Sequence, residues 1–253
     1  MTFFLILQLS AVAAFATTPL QTRIGKPLIS VFEAQGVPAE ALERAFQYLD
    51  QNAGRTFTGG SIGNTTVHIA DEYMVIIDYS LPSTEKRLYH LNLKTGEVQK
   101  HLVAHGKNSG VLYSIKFSDS QDSKTSSLGL SLVAGTYEGF YGTTLRLYGV
   151  EESNNSMEPR YIVMHGAPYV SQKFIDENSR LGRSWGCPAV GEDVIDLMIA
   201  TLQPGSIVYL YHKDLMYVAQ EEPERQINKD PKIHDLNDID LPGEEEDIQS
   251  NRK

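Results

Sequence analysis

The sequence predicts a mostly β domain with a few helices. In several short stretches, among them 89–93, 145–147 and 207–211, bulky apolar residues recur at every second position, which is typical of strands. Clusters of Gly, Asn and Ser separate these stretches, as expected for turns. Two segments instead have the three- to four-residue spacing of amphipathic helices. Together these features indicate a β-sandwich or barrel-like domain.

The first helix is predicted over residues 38–52. Pro38 is tolerated in the first turn of a helix, and Gly54 follows the segment as a stop signal. We expect the apolar stripe of this helix to pack on the β domain. The stripe consists of Leu42, Ala45, Phe46 and Leu49.

A buried strand, an alternating strand and a second helix are predicted further along the chain. The segment 73–79 is a nearly continuous apolar run, which fits a strand buried in the core. Residues 111–117 alternate and are predicted to form another strand. The second helix is predicted over 192–202. Glu192 and Asp193 in its first turn stabilise the helix, because negative charges interact favourably with the positive end of the helix dipole.

The two ends of the chain differ in character from the β domain. Residues 1–16 form an apolar stretch that is too short to span a bilayer and ends in Ala-x-Ala, as a secretory signal peptide does. The alternative is a retained N-terminal anchor. We divide the rest into a lead segment with the first helix, 17–60, the β domain, 61–213, and an acidic tail, 214–253. The tail has few apolar residues, and its composition predicts disorder.

Composition limits the classes of function. The net charge is −10, and the residues from Gln220 onward contain eleven acidic against five basic residues, so the rest of the chain is only mildly acidic. Without a basic patch, a nucleic acid partner is not expected. The chain has one cysteine, so an exported protein of this sequence forms no internal disulfide. An unpaired thiol in an oxidising compartment indicates reactivity.

Cys187 is this single cysteine, and it stands in the sequence Ser-Trp-Gly-Cys-Pro-Ala-Val at 184–190. His165 lies 22 residues upstream. A thiol becomes a nucleophile near neutral pH when a base such as histidine removes its proton. Gly166 and Gly186 flank the two groups and allow a substrate to approach closely and amide groups to converge on an oxyanion. The pattern predicts a nucleophile and its base; the alternative is a buried structural cysteine and an ordinary strand-end histidine.

The pattern His-Gly, a spacer and Ser-x-Gly-Cys resembles the signature of the L,D-transpeptidases of YkuD type. The form at 182–190 is similar to one branch, the murein L,D-transpeptidase catalytic-domain group found mainly in Gram-negative bacteria. Most L,D-transpeptidases have histidine where Trp185 stands, and Arg or Asn where Ala189 and Val190 stand. Other stretches resemble that branch in the same order, so that the resemblance covers residues 60–213. They are 75–79, 87–89, 103–107, 126–129, 135–137, 142–149 and 165–171.

The resemblance implies a peptidoglycan L,D-transpeptidase with a β-sandwich catalytic domain. Family members exchange the terminal D-alanine of a tetrapeptide stem for an acceptor amine through a cysteine acyl-enzyme. With an export signal at 1–16, such a protein is expected in the periplasm of a Gram-negative-type envelope, without a stable membrane span after signal cleavage. The expected partners are peptidoglycan stem peptides. The resemblance implies no cofactor and no metal, and it names no protein partner.

The resemblance also assigns roles around the cysteine. Cys187 is expected to be the nucleophile and His165 the base. The backbone carbonyl of Gly166 is expected to hold the histidine in one tautomer. The amides of Gly186 and Cys187 are expected to form an oxyanion hole, and Ser184 to shape the loop.

Four further residues are candidates for substrate contacts. Arg183 is expected to pair with a stem-peptide carboxylate, and the alternative is an exposed surface arginine. Trp185 is predicted either to form a wall of the substrate groove or to anchor the core. Tyr137 lies beside the glycine-rich segment 139–142, which resembles the family's substrate-side loop. His105 begins a second His-Gly pair and is interpreted as structural or as a groove edge, with the alternative that it is a rival base.

Three other functions are compatible with the sequence. If water is the acceptor, the same nucleophile makes an L,D-carboxypeptidase or a peptidoglycan hydrolase. A zinc site would use Cys187, His165 and His105, although the sequence has no paired ligands at short spacing such as Cys-x-x-Cys. The third is a wall-binding protein without catalytic activity.

Overall fold

The computed structural model describes residues 28–53, 55–57 and 67–214. The predicted signal peptide lies outside these residues, as does the predicted acidic tail beyond 214. The predicted class, mostly β with a few helices, is confirmed. The helices in the described part are α1 Leu28–Glu33, α2 Ala39–Asn52, α3 Gln172–Asn178 and α4 Glu192–Thr201. The strands are β1 Thr56–Phe57, β2 Val67–His68, β3 Tyr73–Asp78, β4 Leu88–Asn92, β5 Val98–His101, β6 Val103–Ala104, β7 Gly129–Gly139, β8 Gly142–Gly149, β9 Val163–Gly166, β10 Ala189–Val190 and β11 Ile207–Tyr211.

Nine of these strands form one hydrogen-bonded sheet, in the order β5-β4-β3-β11-β7-β8-β9-β10-β6. β11 lies in the middle, parallel to β3 on one side and antiparallel to β7 on the other. The strands β5 and β6 stand at opposite ends of the order, yet only Leu102 separates them along the chain. Because consecutive Cα atoms are about 3.8 Å apart, the two ends of the order must lie side by side. The sheet therefore curls into a barrel-like form.

Both faces of the central strands are buried. In β3, Met74 and Ile76 belong to one hydrophobic cluster, whereas Val75 and Ile77 belong to another. Since successive side chains of a strand point to opposite faces, the two clusters lie on opposite faces of the sheet. This burial on both faces explains why 73–79 is a continuous apolar run rather than an alternating one. Each such side chain contributes about 1.5–3 kcal/mol when buried.

The helix predicted over 38–52 is observed as α2, which begins at Ala39 with Pro38 at its N-cap position. Its apolar stripe belongs to the same cluster as Met74 and Ile76 of β3, so α2 packs on the β domain as expected. Phe32 of α1 stacks on Phe46 of α2, with ring centroids 6.1 Å apart. These two helices cover one face of the sheet.

The second predicted helix is observed as α4 and packs on the other face. Its residues Ile195 and Met198 belong to the cluster that also contains Cys187 and Met164 of β9. Gly166 at the end of β9 permits this close packing, since a Cβ there would lie 2.7 Å from Cγ2 of Ile195. The helix thus fixes the end of the strand that carries the predicted base.

The predicted strand over 111–117 is wrong, because this segment has no strand structure. The amides of Ile115 and Lys116 both donate to the carbonyl of Ser109, at 2.7 and 3.1 Å, so they are not available to a neighbouring strand. The segment folds back on the short 3-10 helix Lys107–Ser109. Its alternating sequence is not matched by alternating burial.

Candidate active site

The predicted nucleophile and base lie on neighbouring parts of the sheet. β9 carries His165, and β10 pairs with it in the register Ala189↔His165. Extending this register by two residues places Cys187 opposite Val163. The amide of Val163 donates to Sγ of Cys187 at 3.5 Å, in agreement with that placement. The cysteine therefore lies beside the strand that carries the predicted base.

The thiol of Cys187 is 5% exposed and has two backbone neighbours on β9 and the turn before it. The Val163 amide donates to the sulfur, and the sulfur is 3.9 Å from the carbonyl oxygen of Tyr161. The amide stabilises the thiolate, since it donates to the charged form. The carbonyl accepts from the neutral thiol. The site therefore offers a partner to both protonation states of the cysteine.

The imidazole of His165 is fully buried and held by its own strand. Its Nδ1 lies 3.0 Å from the carbonyl oxygen of Gly166. Since a carbonyl only accepts, Nδ1 carries the proton and Nε2 is the basic nitrogen. Burial lowers the pKa of His165 from 6.5 to about 4, and the hydrogen bond to Gly166 acts in the opposite direction. The imidazole is therefore neutral near pH 7 and able to accept a proton.

An aromatic side chain covers this imidazole. The ring of Tyr141 stacks on His165, with centroids 4.8 Å apart and planes at 10°. Tyr141 lies at the tip of the β7–β8 hairpin, next to Phe140, whose side chain is 66% exposed. Sequence reasoning associated this tip with substrate but did not identify Tyr141 as a neighbour of the base. The contact between Tyr141 and His165 depends on how far the β7–β8 hairpin extends past β9. No local sequence pattern predicts that length.

The turn before the cysteine is fixed by a serine hydroxyl. Oγ of Ser184 accepts from the amide of Gly186 at 3.1 Å and donates to the carbonyl of Cys187 at 2.5 Å. Gly186 has φ +126, and a Cβ there would lie 2.6 Å from the carbonyl oxygen of Thr125, so only glycine fits. The Gly186 amide, which sequence analysis assigned to an oxyanion hole, is engaged by Ser184 in this conformation. Its oxyanion role stays a prediction.

The second histidine, His105, is buried behind this turn. Nη2 of Arg87 lies 2.7 Å from its Nδ1, and its Nε2 lies 3.2 Å from the carbonyl oxygen of Gly110. The arginine can only donate and the carbonyl can only accept, so the proton is on Nε2. Burial, and next the charge of Arg87, hold the pKa of His105 well below 6.5. Its backbone carbonyl accepts from the amide of Ser184 at 3.0 Å, which gives His105 a supporting position under the cysteine turn.

Arg183 is directed into the protein. Its side chain is buried, and Nη1 donates to the carbonyls of Lys107 and Gly110, both at 3.2 Å. It is therefore not an exposed surface arginine, the alternative considered from the sequence. Its contact with a substrate carboxylate stays a prediction.

The two aromatic candidates are at least partly exposed. Trp185, two residues before the nucleophile, is partly exposed, and Nζ of Lys124 lies 3.7 Å from its ring centroid. Tyr137 on β7 is exposed, and Cζ of Arg146 lies 5.0 Å from its ring centroid. The exposure of Trp185 beside the cysteine turn fits a groove wall better than a core anchor.

Arg160 is a further residue of the site that sequence reasoning missed. It is 6% exposed, forms a 3.2 Å ion pair with Asp119, and donates to the carbonyls of Ser118 and Thr125. Its Nη2 lies 3.1 Å from the position of a Cβ on Gly186. Arg160 thus connects the segment 118–127 to the cysteine turn. Its partners lie 33 to 42 residues away in sequence, so no motif spacing could have indicated it.

The model of the L,D-transpeptidase catalytic domain family matches residues 54–211, which is more than half of the chain. The chain therefore belongs to this family. The family assignment agrees with the signature around Cys187 and His165 and with the mostly β fold. No protein of curated function matches the chain.

Several solved structures are similar to the chain. The L,D-transpeptidase of Xylanimonas cellulosilytica is 15% identical, with 56% of this chain and 61% of that chain covered and a TM-score of 0.34. The L,D-transpeptidase of Mycobacterium smegmatis is 12% identical, with 58% and 62% covered and a TM-score of 0.36. A variant of the Enterococcus faecium L,D-transpeptidase is 13% identical, with 68% and 62% covered and a TM-score of 0.35. The chain thus spans about three-fifths of the length of these solved chains.

The described ranges contain neither a cluster of metal ligands nor a helix suited to span a membrane. Among residues 28–53, 55–57 and 67–214, no group of three His, Cys, Asp or Glu side chains is arranged to hold a metal ion. Within the same ranges, no helix combines the length and apolar character needed to cross a membrane.

Proposed function

We propose that the protein is a peptidoglycan L,D-transpeptidase that uses Cys187 as its nucleophile. The observation that carries this proposal is the pairing of a buried thiol, with the Val163 amide on its sulfur, and a neutral His165 held by the Gly166 carbonyl on the adjacent strand. Membership of the family supports the reaction class. The substrate class follows from the same membership.

The proposed acylation step begins with transfer of the Cys187 proton to Nε2 of His165. The sulfur attacks the carbonyl carbon of the bond between the diamino acid and the terminal D-alanine, and a C–S bond forms. The C–N bond then breaks, and His165 returns the proton to the departing amine of D-alanine. The product is a thioester on Cys187.

In the proposed second step an acceptor amine from another stem attacks the thioester. His165 takes a proton from this amine, a new amide bond forms, and the C–S bond breaks. The proton then returns to the sulfur of Cys187, so the enzyme is regenerated and no electrons are exchanged with an outside reagent. The negative oxygen formed in each step is assigned to the amides of Gly186 and Cys187, which requires Gly186 to leave its contact with Ser184.

The proposed place of action is the periplasm. The support is the apolar segment 1–16, which ends in Ala-x-Ala. A single cysteine also suits an oxidising compartment, because no second thiol is available to block it by an internal disulfide.

The experiment is incubation of the purified protein with a disaccharide-tetrapeptide, followed by mass spectrometry of the products. Crosslinked dimer together with free D-alanine is the expected result. Tripeptide monomer alone would make the protein an L,D-carboxypeptidase, and cleavage of a crosslinked dimer would make it a hydrolase. Binding to sacculi without any turnover would support a wall-binding module. A Cys187→Ala variant is the control and should form no product.

A second measurement addresses the nucleophile directly. Carbapenems acylate members of this family, so the intact mass of the protein should increase by one drug molecule after exposure. Peptide mapping should place the adduct on Cys187. A stoichiometric zinc ion in the purified protein, with activity lost to a chelator, would instead favour the zinc alternative.

A further inference from the structure

The side chain of Lys124 lies over the ring of Trp185, immediately before the nucleophile. Nζ is 3.7 Å from the ring centroid, which is a close cation–π contact. Both residues are partly exposed. The pair therefore presents a positive charge beside an apolar face, two residues before Cys187.

The backbone around Lys124 is held in an uncommon conformation. Lys124 has φ +55, in the left-handed region that non-glycine residues rarely adopt. The amide of Asn108 donates to the Lys124 carbonyl at 3.0 Å. On the next residue, the carbonyl of Thr125 accepts from Nη2 of Arg160 at 2.7 Å. Surrounding groups thus fix the position from which the lysine side chain extends.

The same segment forms a wall against the cysteine turn. The Thr125 carbonyl lies 2.6 Å from the position of a Cβ on Gly186, which is the residue between Trp185 and Cys187. Lys124 directly precedes Thr125, so its backbone belongs to this wall, and its ammonium lies on the ring of Trp185.

Two arginines near this turn are used inside the protein. Arg160 is buried against Asp119, and Arg183 is buried with its guanidinium on two backbone carbonyls. Lys124, in contrast, is partly exposed and lies on Trp185. Lys107 is also partly exposed near this turn, but Lys124 is the lysine whose ammonium lies against the aromatic ring.

We propose that Lys124 and Trp185 form a subsite for the carboxylate of the terminal D-alanine in the donor stem. This inference rests on the proposed transpeptidase function. An enzyme that removes only the last residue of a peptide must distinguish a chain end from an internal bond, and the chain end carries a carboxylate. The ammonium pairs with this carboxylate, and the part of the Trp185 ring that Lys124 leaves uncovered contacts the methyl group beside it.

The experiment compares two tetrapeptide donors that differ only at the terminus, one with a free carboxylate and one with a carboxamide. Release of D-alanine or D-alaninamide is measured for the wild-type protein, K124Q and K124R. We expect K124Q to raise KM for the carboxylate donor about tenfold, with a smaller change in kcat, since a hydrogen bond to a charged group is lost. The carboxamide donor should be nearly unaffected. K124R should keep the preference for the carboxylate.

Comparing the preference between the two donors from one variant to the next cancels the different reactivity of the two leaving groups. K173Q is a matched control that removes an exposed lysine of α3, and K107Q removes a lysine nearer the cysteine turn. Neither should change the preference between the donors. Melting temperatures of all variants report whether a change in rate comes from loss of folding.

The outcomes separate this inference from the proposed function. If the wild-type protein releases neither leaving group, the proposed function fails. If it releases D-alanine but K124Q keeps the same preference for the carboxylate donor, the inference alone is overturned. It is also overturned if K107Q abolishes the preference in place of K124Q.

Discussion

At the scale of single residues, three backbone groups form hydrogen bonds with the thiol of Cys187 and the imidazole of His165. The Val163 amide donates to the sulfur of Cys187, the Tyr161 carbonyl accepts from that thiol, and the Gly166 carbonyl fixes the tautomer of His165. No acidic side chain is needed for this arrangement, because the carbonyl does the orienting that a carboxylate does in other triads. The reactive pair can therefore remain in a buried and weakly charged environment.

The first prediction concerns the choice of histidine. Cys187→Ser should abolish turnover, because a serine hydroxyl does not reach the thiolate-like state that this base can generate. His165→Ala should lower the acylation rate by about 10²–10⁴-fold, the usual contribution of a general base. His105→Gln, which keeps a polar partner for Arg87, should retain far more activity. Pre-steady-state acylation by a carbapenem measures all three, and the reverse ranking of the histidines would show that the base had been misassigned.

The second prediction concerns the stability of the fold in acid. Burial lowers the pKa of His165 to about 4, below the value of 6.5 expected in the unfolded chain. The unfolded chain therefore binds the proton more readily than the folded protein. The contribution of the neutral His165 to the free energy of unfolding is fully present above pH 6.5 and is lost as the pH falls towards 4. The difference between the folded and unfolded pKa of His165 corresponds to about 3 kcal/mol in the free energy of unfolding.

Denaturant unfolding at pH 7 and pH 4.5 measures this effect in the wild-type protein and in His165→Gln. His90 also has its pKa lowered to about 4 by burial, so both proteins should lose stability in acid. The loss should be smaller in the variant, which lacks one of the buried imidazoles. Equal losses would mean that His165 is solvated or charged in the native protein.

At the scale of elements, the β7–β8 hairpin is the element that closes the site over the base. Its tip places Tyr141 on the imidazole and leaves Phe140 exposed. The stacking ring excludes water from His165, and this exclusion is part of the reason that the pKa of the imidazole is low. The hairpin therefore influences the protonation of a residue on another strand.

The third prediction tests that influence. Tyr141→Ala should raise the pKa of His165 towards 6.5, because the uncovered imidazolium is better hydrated, and should slow acylation about three- to tenfold. Tyr141→Phe keeps the ring and should behave as the wild type. Phe140→Ala removes the exposed neighbour and serves as the control. Titration of the imidazole signals by NMR gives the pKa, and an unchanged value in Tyr141→Ala would remove the hairpin from this role.

The elements also show which features a sequence can predict. Helices α2 and α4 and strand β3 have periodic or continuous apolar patterns, and each was predicted within a residue or two of its observed bounds. The short helix α3 has no buried residue and therefore no stripe to detect. The segment 111–117 alternates by chance, since its amides bind a nearby turn. Pattern reasoning thus succeeds where burial generates the pattern.

The same distinction applies to the site. Cys187 and His165 were predicted because they stand in a motif. Arg160, Lys124 and Tyr141 stand in no such motif, because each reaches the cysteine turn or the histidine through a contact with a distant segment, which only the fold brings near. The partner of the Gly186 amide was also not foreseen, since it depends on the conformation of the turn.

At the scale of the whole molecule, one curled sheet serves two purposes. One face packs against α1 and α2, and the other packs against α4 and contains the cysteine site. The lead helix therefore stabilises the sheet without occupying the face where chemistry is proposed. The described part contains these two hydrophobic clusters and a smaller third one around Tyr169 and Leu181.

The fourth prediction concerns the chain beyond the described part. Deletion of residues 221–253 should change the melting temperature by less than about 2 °C and leave the acylation rate unchanged, because a segment with few apolar side chains cannot offset the entropy of ordering itself. Calorimetry and carbapenem acylation of the shortened protein measure the two effects. A large loss of stability would mean that the domain boundary at 213 is too early.

The position of β11 between β3 and β7 determines when the two parts of the sheet can join during synthesis. Without Ile207–Tyr211, the strands β3, β4 and β5 have no hydrogen-bonded connection to β7, since β11 is the only strand between the two groups in the described sheet order. A growing chain that has already produced His165 and Cys187 therefore still lacks the strand that joins the two parts of the sheet. A ribosome that stops early, before residue 211, releases a polypeptide with both reactive groups but without the framework that aligns them. The sheet that would align the two groups can therefore form only after residue 211 has been synthesised, with residues 212–253 still to follow.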